Sequence, residues 1–219
     1  MQNSQKEYFD QAYRTGSDIW SHIPYQSVLL SVLPQLEKDA FILDVGSGRG
    51  LWAQRLLALG YRVLGIDYIP AIVQQVNKDF KLEGIEHRAR FVVGDVLDIP
   101  FADASFDMAT DIGTLQHLDP AEWQTYVTEI ARVTKSGGWY VNVSLSRETT
   151  RFMTWNPKHS EQQKFEKFGV SYYFFDAGEI VQLFQKDFIK KQQIVRYFDA
   201  KSDPHDNVAL VMTVFQKKQ

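Results

Sequence analysis

Three short apolar runs in this chain each end near a glycine and a carboxylate. They read Asp44-Val-Gly46-Ser47-Gly48-Arg-Gly50, Gly65-Ile-Asp67-Tyr68 and Gly94-Asp95-Val96. Glycines at Gly46, Gly48 and Gly50 let a backbone turn tightly and approach a ligand with no Cβ in the way. The helix expected after Gly50 adds free N–H groups at its start. A dinucleotide-binding turn would need G-x-G-x-x-G or A, and counting from Gly46 and Gly48 its third position falls on Leu51. The carboxylate of Asp44, two places before the first glycine, is a poor neighbour for a pyrophosphate and suits a positively charged ligand group. Asp67 follows the turn by about 20 residues, where nucleoside-binding α/β proteins place an acidic residue on the ribose. A carboxylate accepts from both ribose hydroxyls.

The elements that must hold these residues alternate between short apolar runs and amphipathic segments, the pattern of βαβ units with a mostly parallel sheet. Glu7–Tyr13 and Tyr25–Leu33 read as N-terminal helices. Phe41–Val45, Tyr61–Ile66, Phe91–Val93, Phe106–Thr110 and Trp139–Leu145 read as strands, and Leu51–Leu59, Ala71–Leu82 and Pro120–Val133 as the helices between them. Lys135–Gly138 reads as a turn, and Arg147–Phe175 has no clean period. Ala177–Phe184 reads as a final helix. Phe188–Tyr197 and Asp206–Gln216 read as closing strands, with Asp203-Pro204 in the turn between them. No helix fits between these two strands, so they should form an antiparallel hairpin. The expected organisation is a single domain over 1–219. It has an N-terminal helical cap at 1–38, a cofactor-binding half at 39–145, and a substrate-side insertion with closing strands at 146–219.

The Asp44-x-Gly46-x-Gly48-x-Gly50 run resembles the first motif of class I S-adenosylmethionine-dependent methyltransferases, and further features follow in that family's order. Asp67 and Tyr68 close the second strand, Phe91-Val-Val-Gly-Asp95-Val96 follows the third, and Thr110-Asp111-Ile112-Gly-Thr-Leu-Gln-His117 follows the fourth. The resemblance covers about Phe41 to Leu145. It implies an α/β, Rossmann-like three-layer sandwich with a mostly parallel seven-stranded sheet and an antiparallel C-terminal hairpin. It implies S-adenosyl-L-methionine as cofactor, with S-adenosyl-L-homocysteine as product. Asp44 would then meet the methionine ammonium beside the sulfonium, with Gly46, Ser47, Gly48 and Gly50 around it. Asp67 would meet the ribose, with Tyr68 beside it among the cofactor-binding residues, Asp95 the adenine amino group, and the Val96 amide a ring nitrogen. Asp111 and Ile112 would pass the methionine end. His117 stands where many relatives carry two adjacent histidines, and is either a general base or a packing residue beneath the next helix. The N-terminal stretch Tyr8–Trp20 and the insertion Arg147–Phe175 are expected to cover the acceptor, with Tyr13 and Trp20 as wall or anchor and Gly16 and Gly169 as hinges.

Composition narrows the partners. The 219 residues carry a formal net charge of -3, with 44% hydrophobic and 23% charged residues and no cysteine. A polyanion is a poor match for that balance, so no nucleic acid partner is expected. Disulfides, thiolate metal sites and cysteine nucleophiles are excluded, and His22, His87, His159 and His205 lack metal-ligand spacing. The polar N-terminus lacks a signal-peptide core, and no stretch reaches the ~18 apolar residues of a membrane span. A cytoplasmic protein acting on a small-molecule acceptor is expected. A non-catalytic cofactor-binding module and a protein or RNA methyltransferase are the alternatives. The acceptor atom and the oligomeric state are not specified by these residues.

Overall fold

The computed structural model describes residues 3–18, 20, 23–150, 164–167, 169–200 and 203–219. Its elements are, in order, α1 (Asn3–Thr15), α2 (Tyr25–Leu30), β1 (Phe41–Val45), α3 (Leu51–Ala58), β2 (Arg62–Asp67), α4 (Pro70–Leu82), β3 (Ala89–Val93), β4 (Phe106–Ile112), α5 (Trp123–Val133), β5 (Thr134–Leu145), β6 (Lys164–Lys167), β7 (Val170–Tyr173), α6 (Ala177–Phe184), β8 (Phe188–Ala200) and β9 (Asp203–Lys217). Seven strands form one sheet in the order β3-β2-β1-β4-β5-β9-β8. The pairs from β3 through β5 are parallel, and β9 runs antiparallel to both neighbours. This is the Rossmann-like α/β sheet with its closing antiparallel hairpin.

Each face of the sheet has its own core. Ile42, Val63, Met108 and Val141 face α2, α3 and α4 through Leu29, Trp52, Leu56, Val76 and Phe80. Leu43, Val45, Ala109 and Tyr140 face α5 and α6 through Tyr126, Val127, Ile130, Ile180 and Phe184. The period-2 alternation along each strand makes this division, and it assigns the polar residues too. Asp44 and Thr110 share the first face, while Asp111 lies on the second. The strand order reverses between β1 and β4, and a crevice opens at the carboxyl ends of strands at such a switch point. The Gly-rich turn lies on one side of that crevice and the turn after β4 on the other.

Several boundaries differ from the sequence reading. Helix α2 stops at Leu30, and Ser31–Leu33 close it by backbone bonds to Val28 and Leu29, because Pro34 disfavours helical geometry at Leu33. Pro120–Glu122 forms a separate 3-10 turn with a capping box on Asp119, and α5 proper begins at Trp123. The Lys135–Gly138 turn is absorbed into β5 as a bulge. Phe106 pairs with Thr134 but Met108 pairs with Trp139, so the extra residues bow out there. Asp203 and Pro204 lie within β9 and not in the preceding turn. Within Arg147–Phe175, residues 151–163 and 168 lie outside the described residues, and Lys164–Lys167 pairs antiparallel with Val170–Tyr173 as β6–β7. Among the described residues no helix is long and apolar enough to cross a membrane.

Candidate cofactor and acceptor site

Strand β1 delivers Asp44 to the floor of the crevice, 2% exposed. Thr110 on β4, its direct neighbour in the sheet, donates a 3.1 Å hydrogen bond to Asp44 Oδ1. Asp44 Oδ2 is buried with no hydrogen-bond partner, and so is the hydroxyl of Ser47 in the adjoining turn. Burial, with Asp111 and Asp67 nearby, pushes the Asp44 carboxyl up to about 7. A buried carboxylate oxygen without a donor is expensive, and a cationic or N–H-bearing ligand is what would satisfy it.

The turn itself is shaped from behind by Asp67. Its Oδ2 accepts from the Gly48 amide at 2.9 Å and its Oδ1 from the Ile69 amide at 2.9 Å. The Tyr68 amide also contributes; a carboxylate has about four acceptor positions, which leaves capacity for a ligand hydroxyl. Burial raises Asp67 to about 6. Gly46, Gly48 and Gly50 all have positive φ, at 65°, 48° and 70°. A Cβ at Gly48 would also crowd the Tyr13 ring, whose hydroxyl would stand 3.0 Å away. Tyr68 lies beside this wall, edge-on to Phe9 at 6.4 Å between ring centres. At the far edge of the sheet Asp95 is exposed and accepts from the Leu97 amide at 2.9 Å, whereas Val96 is buried. The loop carrying them is held by Arg132, which donates to the Ile99 and Phe101 carbonyls.

The structure does not bring the Asp111 carboxylate into this group. It points into the opposite core and accepts from Tyr126 Oη at 2.6 Å, Tyr140 Oη at 3.3 Å, Asn142 Nδ2 at 3.2 Å, and the Thr114 and Leu115 amides at 2.7 and 3.1 Å. Four of these donors crowd Oδ2 and the Thr114 amide takes Oδ1, so the carboxylate is engaged with the turn after β4 and the core behind it. Ile112 ends the strand, half-buried against the first core. In the next residue, Gly113, φ is 87°, and the Trp20 indole occupies the space a Cβ would need.

His117 sits beneath the N-terminal helix. Its Nδ1 donates to the Ser171 carbonyl at 2.8 Å, the only role a carbonyl partner allows, so Nε2 is the acceptor and receives the Gln116 side-chain amide at 3.2 Å. Phe9 and Tyr172 pack edge-on to the ring at 5.0 and 4.9 Å. Burial drives its pKa down to about 4. The geometry favours packing over general-base work, because both nitrogens are engaged. An unfolded histidine titrates near 6.5, so this residue's contribution to stability is whole above that pH and is lost as pH falls toward 4. His117→Ala is expected to cost about 2–4 kcal/mol and to remove that acid-side loss. Melting temperatures between pH 4 and 8 check both, and an unchanged profile would count against the packing role.

The sequence reading missed four residues here. Gln5 donates to the His117 carbonyl at 3.2 Å and accepts from the Ser171 amide at 3.3 Å. Thr110 holds Asp44, and Arg49 joins Asp18 at 3.0 Å. A basic residue between two turn glycines was the one visible signal. The others are ordinary residues whose partners are distant in the chain.

A crevice at the strand switch, a Gly-rich turn and an unsatisfied carboxylate match the comparison with known proteins. Residues 42–138 match the family described as "Methyltransferase domain". Over this segment the chain is similar to class I S-adenosylmethionine-dependent methyltransferase domains. A probable S-adenosylmethionine-dependent methyltransferase of Mycolicibacterium smegmatis is 30% identical over 125 residues, covering 55% of this chain and 45% of that protein. The 24-methylenesterol C-methyltransferase 2 of Oryza sativa is 34% identical over 121 residues, covering 55% of this chain and 32% of that one. The matched regions thus span less than half the length of these curated relatives. The 1,6-didemethyltoxoflavin-N1-methyltransferase of Burkholderia thailandensis has a similar fold, with TM-score 0.73, 22% identity, and coverage of 98% of this chain and 87% of that one. That structure contains 1,6-didemethyltoxoflavin and S-adenosylhomocysteine. The methyl donor of this domain class is S-adenosyl-L-methionine, and the orphaned oxygen of Asp44 and the glycine cradle beside it fit such a group.

Proposed function

We propose that the chain transfers the methyl group of S-adenosyl-L-methionine to a small, partly apolar acceptor. The observation that carries this is the buried, unpartnered Oδ2 of Asp44 at the base of the crevice, which requires a ligand donor. Asp44, Ser47 and the amides of the Gly-rich turn would hold the methionine end. The remaining acceptor capacity of Asp67 would take the ribose, and Asp95 with the Val96 amide would take the adenine. When bound, S-adenosyl-L-methionine supplies an electrophilic methyl group on a sulfonium leaving group. What the chain adds is alignment and exclusion of water, and near-attack positioning alone can contribute about 7–11 kcal/mol. Because His117 has neither ring nitrogen to offer, the acceptor supplies a nucleophile that needs no proton taken by this residue.

The aromatic side chains Phe9, Tyr13, Trp20, Tyr68 and Tyr172 over the crevice suit a small molecule with apolar surface. The names of several relatives point the same way: a sterol, a tocopherol and an alkaloid methyltransferase. The net charge of -3 supports the absence of a nucleic acid partner. The single-domain organisation and cytoplasmic location expected from the sequence are part of the proposal.

The test has two stages. Calorimetric titration with S-adenosyl-L-methionine should show one site, and a preference for NADH would overturn the reading. Incubation with methyl-labelled S-adenosyl-L-methionine and a metabolite extract should then move label into a small molecule. Binding without transfer to any extract component would make the chain a cofactor-binding module instead.

A further inference from the structure

Arg49 stands between two glycines of the cofactor turn, yet its guanidinium reaches the N-terminal segment. Its Nε donates to Asp18 Oδ2 at 3.0 Å, and its Nη2 donates to the carbonyl of Tyr13, in the last turn of α1. A guanidinium at a helix C-terminus meets carbonyls that the helix leaves unpaired and complements the helix dipole. Asp18 is 6% exposed, so its charge depends on a partner. Gly16, with φ 70°, turns the chain between these two contacts, and a Cβ there would lie 3.7 Å from Arg49 Nη2.

The same segment touches other loops around the crevice. The Tyr13 ring lies on Gly48, the Trp20 indole lies on Gly113 across the strand switch, and Gln5 and Phe9 hold the His117 turn and β7. Helix α1 with the residues after it therefore forms a roof resting on the turns after β1 and β4. A ligand lodged between Tyr13 and the Gly-rich turn has to displace the roof or enter beneath it. We propose that Arg49 and Asp18 are positioning residues that lock this roof to the cofactor turn, so that roof closure and the grip on the methyl donor are one coupled event. This rests on the methyltransferase reading of the crevice. A salt bridge between structural elements would merely add stability. Here one partner belongs to the turn that contacts the ligand, so a change in the turn on binding is felt directly at Asp18.

The coupling predicts which steps change when the pair is broken. Opening of the roof exposes Phe9, Tyr13 and Trp20, which are chymotrypsin sites, and cleavage of a transiently opened segment follows the open population. Full-length wild type, Asp18→Asn and Arg49→Gln are digested with chymotrypsin without ligand and with saturating S-adenosylhomocysteine. Dissociation of S-adenosylhomocysteine is followed by stopped-flow tryptophan fluorescence. In both variants the ligand-free cleavage within the first twenty residues should rise about tenfold, and ligand release should accelerate by a similar factor. In wild type the ligand should suppress cleavage. The double variant should behave like Arg49→Gln alone, since the Asp18 contact is already lost there. Should a variant fail to fold, the wild type still decides: raising the salt concentration should open its roof and speed release together. Wild-type cleavage and release rates in both variants, or cleavage in wild type that ligand and salt leave unchanged, would overturn the coupling. Failure of wild type to bind S-adenosylhomocysteine at all would instead refute the methyltransferase reading, and is told apart by the titration.

Discussion

Replacing Asp44 with asparagine is expected to weaken S-adenosyl-L-methionine binding by roughly a hundredfold or more while making the ligand-free protein more stable at pH 8. The two effects have one cause. The Asp44 carboxyl is buried, one oxygen lacks a donor, and its pKa rises to about 7. In the unfolded chain an aspartate titrates near 3.9. The folded protein therefore binds a proton between these values that the unfolded chain has released. The contribution of this group to stability is greatest below about pH 4 and declines as pH rises to about 7. Above that the empty protein carries an uncompensated buried charge, which asparagine removes while its carbonyl keeps the Thr110 bond. A ligand cation reverses the balance, so wild-type affinity should tighten from pH 6 to pH 8. Asp67, raised to about 6, adds a slope of the same sign, and His117 one of the opposite sign. The wild-type melting profile below pH 6.5 is thus a partial cancellation, and His117→Ala should uncover the declining part. Thermal melts and calorimetry across pH 5–8 read all of these. Asp44→Asn with wild-type affinity would remove Asp44 from the site.

What could be read from the sequence follows how local its cause is. The β1 strand, the Gly-rich turn and the start of α3 are consecutive in the chain, from Phe41 to Leu51, and strand, turn and helix there are dictated by neighbours. The antiparallel closing hairpin followed from chain length alone, since no crossover fits. Asp111 shows where such reading stops. It lies next to Thr110 in sequence, and both lie near the carboxyl end of β4, at the edge where ligands bind. Which of them faces Asp44 depends on the register of β4 against β1, which pairs Asp44 with Thr110, and register is a non-local property. One residue of slip exchanges the two faces. Arg49–Asp18 and Gln5–Ser171 are hidden for the same reason, with partners 31 and 166 residues apart. The Lys135–Gly138 turn was visible as a local bend, but its continuation as a bulge within a strand depends on the partner strand.

The placement of Asp111 leads to the largest expected loss of stability. Asp111→Ala would leave the hydroxyls of Tyr126 and Tyr140, the Asn142 amide and two backbone amides without their shared acceptor, all buried except the half-buried Thr114 amide. Each buried group left unsatisfied costs about 1–3 kcal/mol. The costs do not add, because the donors can partly pair with one another, as the two tyrosine hydroxyls already do at 3.3 Å. A net loss of about 3–5 kcal/mol is expected, a large part of the roughly 5–15 kcal/mol that stabilises a domain. At about 2–4 °C per kcal/mol for a chain of this size, the melting temperature should fall by about 10 °C. Tyr126→Phe removes the shortest bond to Asp111 and the longer contact with the Tyr140 hydroxyl, and should cost about 1–2 kcal/mol. Asp111→Asn separates a structural role from a ligand role. If the carboxylate only holds the turn after β4, this variant should melt well below wild type yet bind S-adenosyl-L-methionine within a few-fold of normal at temperatures where it is folded. A variant that melts normally but has lost the cofactor would return Asp111 to the binding site. The distinction matters for the turn, because the Thr114 and Leu115 amides held by Asp111 fix the segment that runs from Gly113 under Trp20 to His117. Loss of that acceptor should loosen both supports of the roof on the β4 side. Ligand-free chymotrypsin cleavage of the N-terminal segment should therefore rise in Asp111→Asn even where the global fold persists.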